Sequence, residues 1–238
     1  MAAWAKELLP PKRHYIGLTP ALSPLYIQET ATGIDSAHAN LFQRGLMGIS
    51  APPGTSSAAV KLAADFTALL GAVPYFVDLA EIDGLMATAH LLPQLAAAAL
   101  INATIDQPGW SDIRKMAGRP FAVSTVVVES KEEIASLSEV ALRNRENSIR
   151  VLDSLLTAIQ DLRDDLACED KKSLSKRLEH ARQGREKWWQ ERSRADWLAV
   201  EYGKQEMPTA AGILKQQIGR LDKLFGPRRG REKKSDAD

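Results

Sequence analysis

The sequence predicts a mainly α fold, in which a helical domain is preceded by the C-terminal remnant of an α/β domain. Three observations predict it. A nearly unbroken apolar stretch over 78–103 repeats at three- and four-residue steps, the helical period. Two further amphipathic patterns, over 149–166 and 174–188, follow it. Short β-like runs are grouped in the first 77 residues around a single crossover. The expected partition is 1–78 for the α/β part, 79–205 for the helical domain, and 206–238 for a short helix with a charged tail.

Residues 2–9 read as the last turns of a helix stopped by Pro10-Pro11. His14-Tyr15-Ile16-Gly17-Leu18 reads as a strand ended by Thr19-Pro20, and 21–43 as a polar loop with one helical turn. Leu46-Met47-Gly48-Ile49-Ser50 is a second strand. After the turn Ala51-Pro52-Pro53-Gly54, Thr55 is the expected N-cap of a helix. Leu62, Phe66, Leu69 and Leu70 mark its expected buried face, and Gly71 its left-handed end. A third strand over 73–77 completes a strand–helix–strand crossover and leads into the central helix.

Asp78 followed three residues later by Glu81 is a helix start with a reciprocal cap. Ile82, Leu85, Met86, Ala89, Leu92, Ala96, Leu100 and Ala103 form one face, and Leu91, Leu95, Ala98 and Ile101 make the other nearly as apolar. An all-round apolar helix is expected to be buried. Pro93 removes a backbone donor inside it and is expected to kink it. A short helix over 110–117 follows. Residues 121–129 have strand propensity at Val126-Val127-Val128, but the helical sequence after them favours a helix or loop. Ser130 opens the next helix. Residues 228–238 mix basic and acidic side chains and read as a solvated tail, with phosphate or lipid binding by Arg228, Arg229 and Arg231 as the minor reading.

Composition narrows the function. The 238 residues are 45% hydrophobic, enough for a real core, and 31 basic against 30 acidic residues ask for neither nucleic acid nor an acidic membrane. The one cysteine, Cys168, excludes an internal disulfide and suits a reducing cytoplasm. The longest apolar run is interrupted by Glu81, Asp83, His90, Pro93 and Gln94, so no membrane span is expected. The expectation is a cytoplasmic protein whose broad apolar stripes pack between subunits of a homodimer.

Chemistry concentrates in one place. There is no G-x-G-x-x-G, no G-x-x-x-x-G-K-[ST], no cysteine pair and no H-E-x-x-H, and His14, His38, His90 and His180 lack metal-ligand spacing. His90 and Gln94 lie one helical turn apart beside Pro93. They read either as polar groups in a small-molecule pocket with Arg114 or Lys115, or as core groups satisfied by neighbours.

The order of motifs resembles the prephenate/arogenate dehydrogenase family of tyrosine biosynthesis. Tyr15-Ile16-Gly17-Leu18-Thr19-Pro20 is similar to its strand ending in Gly-x-His-Pro. Leu41-Phe42, Gly48-Ile49-Ser50-Ala51-Pro52 and Gly71-Ala72 follow its later strand and helix end. The stretch 83–100 resembles the helix bearing Ser-His-Leu-Pro-His, and Gly109-Trp110-Ser111-Asp112-Ile113-Arg114-Lys115-Met116-Ala117 its Gly-Phe-x-Asp-x-x-Arg-x-Ala. Asn144-Arg145-Glu146-Asn147, Ala181-Arg182-Gln183-Gly184-Arg185 and Leu224-Phe225-Gly226 are similar to its C-terminal helices and tail.

The resemblance implies a Rossmann-like origin for the first domain, NAD or NADP as cofactor, and prephenate or arogenate as the substrate of an oxidative decarboxylation. It implies catalytic positions at Thr19 and His90, and substrate contacts from Gln94, Arg114 and Lys115. The sequence departs from the pattern at each of them. Thr19 stands where the family has its catalytic histidine. Aligned on Pro93, the family's first helix histidine falls on Leu91, with His90 one residue away. Lys115 stands at the position of the arginine that meets the substrate carboxylate, beside Arg114, keeping the charge without the bidentate fork. The glycine-rich dinucleotide loop lies before the place where this sequence starts, so the expectation is an enzyme inactive as this chain alone. The alternative is a non-catalytic dimer derived from that family that binds a metabolite or partner.

Overall fold

The structure, a computed structural model, describes residues 2–29, 33–128, 131–195 and 197. They divide into two compact units, Met1–Phe76 with the described residues from Trp188 onward, and Val77–Lys187. The expected short helix and tail over 206–238, including Arg228, Arg229 and Arg231, lie outside the described residues.

The first unit holds helix α1 (Ala2–Leu8), strand β1 (Gly17–Ala21), two 3-10 turns (Pro24–Tyr26 and Gly33–Ser36), strand β2 (Leu46–Ser50), helix α2 (Ser57–Leu69) and strand β3 (Val73–Phe76). The sheet order is β1-β2-β3, antiparallel between the first two and parallel between the last two. The parallel pair joined by α2 is the predicted crossover. β1 starts and ends about three residues later than expected, because Thr19 and Pro20 continue the ladder opposite Gly48 and Met47. An edge strand tolerates a proline, which only lacks the donor of one ladder bond. Gly45 is required where β2 begins, since a Cβ there would collide with the carbonyl of Ala21.

Met47, Ile49, Ala63 and Ala72 form the core of this unit, with Ile16, Phe42, Leu70 and Phe76 packed against them. The expected buried face of α2 needs correction. Ala63 and Thr67 face inward, while Leu62, Phe66 and Leu69 are exposed. Small side chains let the helix lie close on a narrow sheet, and the bulky stripe is carried on the other side. The cap also differs from expectation. The Thr55 hydroxyl donates to the carbonyl of Pro52 at 2.7 Å and closes the turn, so Ser56, in extended conformation, accepts from Ala59 N at 3.2 Å.

The second unit is helical. Helix α3 (Leu79–Met86), a π-helical turn (Ala87–Leu91) and helix α4 (Leu92–Ile105) run on as one 27-residue helix. Helix α5 (Trp110–Met116), helix α6 (Arg119–Thr125) with a 3-10 turn (Val126–Val128), helix α7 (Lys131–Arg143) and helix α8 (Arg145–Ala167) follow. Helix α9 (Lys171–Arg194) starts in this unit and supplies its last turns to the first, where Arg44 donates to the carbonyl of Arg194 and Arg192 to that of Leu22. The 119–128 segment is helical, as favoured over a strand.

Asp78 starts the central helix as expected, accepting from Ala80 N at 2.7 Å. The expected burial is not found. Ala87, Leu91 and Ala97 are buried, with Leu137 and Val151 completing the core cluster around Ala87 and Leu91, but Leu85, Leu100 and Ile105 are exposed. By length and composition the continuous helix Leu79–Ile105 is long and apolar enough to cross a membrane, which Pro93 and the polar interruptions did not suggest. The proline is accommodated without ending the helix.

The revised cap of α2 is open to measurement. Ser56→Ala is expected to cost about 1 kcal/mol in urea unfolding, the usual value of a lost serine cap. A larger loss from Thr55→Ala, with Ser56→Ala neutral, would return the cap to Thr55.

Candidate functional site

Pro93 is the origin of the local geometry. In a regular helix its nitrogen would donate to the carbonyl four residues back, but proline has no N–H and its ring crowds that carbonyl. The chain responds with the π-helical turn Ala87–Leu91, one residue wider than an α-turn. Ala87 and Leu91 keep the inward face of this turn, and His90 is on its exposed face. The half-buried Gln94 donates through Nε2 to the carbonyl of His90 at 2.9 Å. Among the described residues the His90 ring has no hydrogen bond or ion pair. The reading of His90 as a satisfied core histidine is therefore overturned.

Gly109 caps α5 with φ 89°, a left-handed conformation that glycine adopts without strain. Trp110 packs on Phe121 with ring centroids 6.0 Å apart. Lys115 pairs with Asp112 at 2.7 Å, and Arg114 Nε donates to the carbonyl of Ser111 at 3.4 Å. Both cations are exposed and bonded within their own turn. The local acid thus pairs with Lys115 and leaves Arg114 to the backbone. No hydrogen bond among the described residues joins either cation to His90 or Gln94. Thr19 belongs to the other unit, half-buried on β1 opposite Gly48.

A polar group that sequence reasoning missed lies where α8 meets the start of the central helix. Asn144 donates to the carbonyl of Asp83 at 2.8 Å, Asn147 to Asn144 Oδ1 at 2.9 Å, and Arg150 to Asn147 Oδ1 at 3.3 Å. A Cβ on Gly84 would lie 3.5 Å from Asn147 Oδ1 and 3.7 Å from Arg150 Nη2. The available signal was a glycine inside an apolar helix, a common mark of close approach by another element. Among the described residues no group of three or more His, Cys, Asp or Glu side chains could hold a metal ion.

The turn at the parallel crossover of the α/β unit is not a glycine-rich loop. It runs through Pro52 and Pro53, which have no N–H to offer, and Thr55 N is already donated to the carbonyl of Pro52.

No protein-family model matches the sequence, and no curated protein matches it significantly. The fold is shared with solved dehydrogenases. Arogenate dehydrogenase from Synechocystis superposes with a TM-score of 0.63 at 20% identity, over 74% of this chain and 62% of that one. Prephenate dehydrogenase from A. aeolicus, in complex with hydroxyphenyl propionate and NAD+, gives 0.62 at 19% identity, over 72% and 58%. A second structure of the Aquifex aeolicus enzyme gives 0.55 at 15% identity, over 72% and 59%. The chain thus spans less than two thirds of the length of these enzymes, whose fold it shares over most of its own.

The cation at 115 can be tested separately from folding. An exposed lysine–aspartate pair one turn apart contributes well under about 1 kcal/mol, so Lys115→Ala is expected to leave urea unfolding unchanged. Any loss of affinity for a carboxylate ligand in that variant then reports contact with the ligand.

Proposed function

We propose that this chain is the substrate-binding and dimer-forming part of a cytoplasmic prephenate or arogenate dehydrogenase, an NAD- or NADP-dependent oxidative decarboxylase of tyrosine biosynthesis. The observation that carries the proposal is the fold shared with the arogenate and prephenate enzymes. The order of motifs around Thr19, Pro93 and Lys115 supports it. In that reaction hydride leaves the carbinol carbon of a cyclohexadienol for the nicotinamide while the hydroxyl proton is drawn off, carbon dioxide is lost, and the oxygen regains a proton as the ring becomes an aromatic phenol.

The residues of this chain serve the substrate. His90 is the candidate base for the hydroxyl proton, because its imidazole is exposed and has no competing partner among the described residues. Thr19 has no accessible ionisation at neutral pH, and its hydroxyl serves as a hydrogen-bond group at the position of the family's histidine. Arg114 and Lys115 are the candidate cations for the substrate carboxylates, with Gln94 as a neutral hydrogen-bond group. The first unit is read as the remnant of a Rossmann-like domain. Because it offers no glycine-rich phosphate loop, the chain alone is expected to be inactive.

The dimer proposal rests on uncovered apolar surface in the helical unit. Leu85, Leu100 and Ile105 on the central helix are exposed, as are Ile149, Leu156 and Ile159 on α8. A second copy packing on these faces would remove them from water. Light scattering on a size-exclusion column at micromolar concentration is expected to give a dimer without detergent. A monodisperse monomer, or a chain held only in detergent micelles, would overturn this.

Chemical-shift mapping with prephenate, arogenate and tyrosine tests the substrate assignment. At least one of them is expected to move the His90 ring and the Gln94 side-chain amide, while calorimetry with NAD+ and NADP+ detects no micromolar binding. Silence at His90 for all three ligands would sink the substrate reading. Micromolar cofactor binding would show the phosphate-loop argument wrong.

A further inference from the structure

The first unit contains a cleft of about 540 Å³ between the end of α1, the segment leading to β1 and the β2–α2 turn. The volume falls within the range of small-molecule sites. Because Gly17 pairs with Ser50, the cleft lies at the end of the sheet where β1 begins and β2 finishes, with Thr19 further along β1. It is separate from His90, Gln94, Arg114 and Lys115, and shares the Pro52–Pro53 turn with the crossover described above.

Its lining is one-sided in charge. Lys6, Lys12, Arg13 and His14 line it, and no aspartate or glutamate does. Among the described residues none of these four side chains has an ion pair or a hydrogen bond. Three permanent cations within eight residues repel one another, and the one acid in that span, Glu7, is not part of the cleft wall and pairs with none of them. Lys12 is held at φ 68°, a left-handed conformation that is uncommon for a residue with a Cβ. The turn that holds it is closed by Arg13 N donating to the carbonyl of Pro10 at 3.2 Å. The rest of the wall is mostly apolar, with Leu9, Pro11, Tyr15, Pro52 and Pro53 among its residues and Thr55 as a polar group.

We propose that this cleft binds a phosphate monoester with a compact apolar body. A phosphate monoester carries about 1.5 to 2 negative charges at neutral pH and several acceptor oxygens, which suits three permanent cations better than one carboxylate does. Lys6 and Lys12 act as point charges and Arg13 as a planar fork, while the proline and tyrosine wall takes the organic body. Side chains rather than backbone amides hold the phosphate, so the site differs in kind from a glycine-rich nucleotide cradle. A nucleic acid is disfavoured, because the cationic run is short and the net charge of the chain is only +1. The inference does not depend on the dehydrogenase reading.

Calorimetric titration of the full chain with phenyl phosphate, inorganic phosphate, benzoate and phenol tests it. Phenyl phosphate is expected to bind with a dissociation constant below the millimolar range, inorganic phosphate and benzoate about tenfold more weakly, and phenol not measurably. Arg13→Gln and Lys12→Asn are each expected to weaken phenyl phosphate about tenfold, the worth of one charge-assisted hydrogen bond. Asparagine is chosen because it accepts the left-handed backbone. Lys61→Gln, on α2 and paired with Asp65, is expected to leave binding unchanged. Affinity in the native chain is also expected to fall as salt is raised, a reading that needs no variant. The absence of saturable binding of phenyl phosphate overturns the proposal. Equal affinity for inorganic and phenyl phosphate removes the organic body, and an equal loss in Lys61→Gln reduces the effect to general surface charge; either result also overturns it.

Discussion

The helical unit is governed by a mismatch. The helix Leu79–Ile105 has more apolar surface than the described residues cover. Its interior contact is narrow and built on small or single side chains: Ala87 and Leu91 against Leu137 and Val151, with Gly84 beside Asn147 and Arg150 on α8. Small residues let α8 come close, but they contribute little buried area. The larger side chains at 85, 100 and 105 face outward. Burying a leucine or isoleucine fully is worth about 1.5–3 kcal/mol, so a second surface able to cover several of them would contribute as much as the net stability of a small domain.

The same helix sets the position of the candidate base. Pro93 cannot complete the hydrogen-bond ladder, and the helix continues only because one turn widens. That widening shifts the phase of the side chains by about one residue. Leu91 stays in the core and His90 is turned to the exposed side. A helix phase extrapolated through a π-turn is wrong by that residue. Residue matching by number against a regular helix is therefore least secure at 90 and 91, where the family's histidine has no counterpart in register.

Much of the fold was legible in the sequence, and the losses have physical causes. The strand–helix–strand crossover, the start of the central helix at Asp78 and the long helices were readable, because caps and hydrophobic period are local. What failed was the assignment of faces. The stripe at 62, 66 and 69 was correctly apolar, but which side of a helix meets the sheet depends on tertiary fit, and Ala63 and Thr67 fitted more closely. The all-round apolar helix was likewise real, but period cannot say whether the cover comes from the same chain. At the candidate site the proximity of His90 and Gln94 was readable from their spacing. The group at Asn144, Asn147 and Arg150 was not, since it depends on a contact across about 60 residues of sequence that only packing creates.

The contrast between the cations and the imidazole bears on how such a site would work. Lys115 and Arg114 already have partners within one turn, so a ligand carboxylate must compete with Asp112 and with the carbonyl of Ser111 for them. His90 has the opposite problem. Its ring has no hydrogen bond to fix either its rotation or its tautomer, whereas catalytic imidazoles are normally oriented by a partner on the second nitrogen. General-base catalysis depends first on geometry and only then on proton affinity. An imidazole free to rotate is a poor base until something holds it, and the group best placed to hold it is the ligand. Substrate binding and assembly of the base would then be a single event, whose cost appears in the binding step. No internal partner among the described residues pre-organises the ring, so at the proposed site that ordering would be drawn from the binding step.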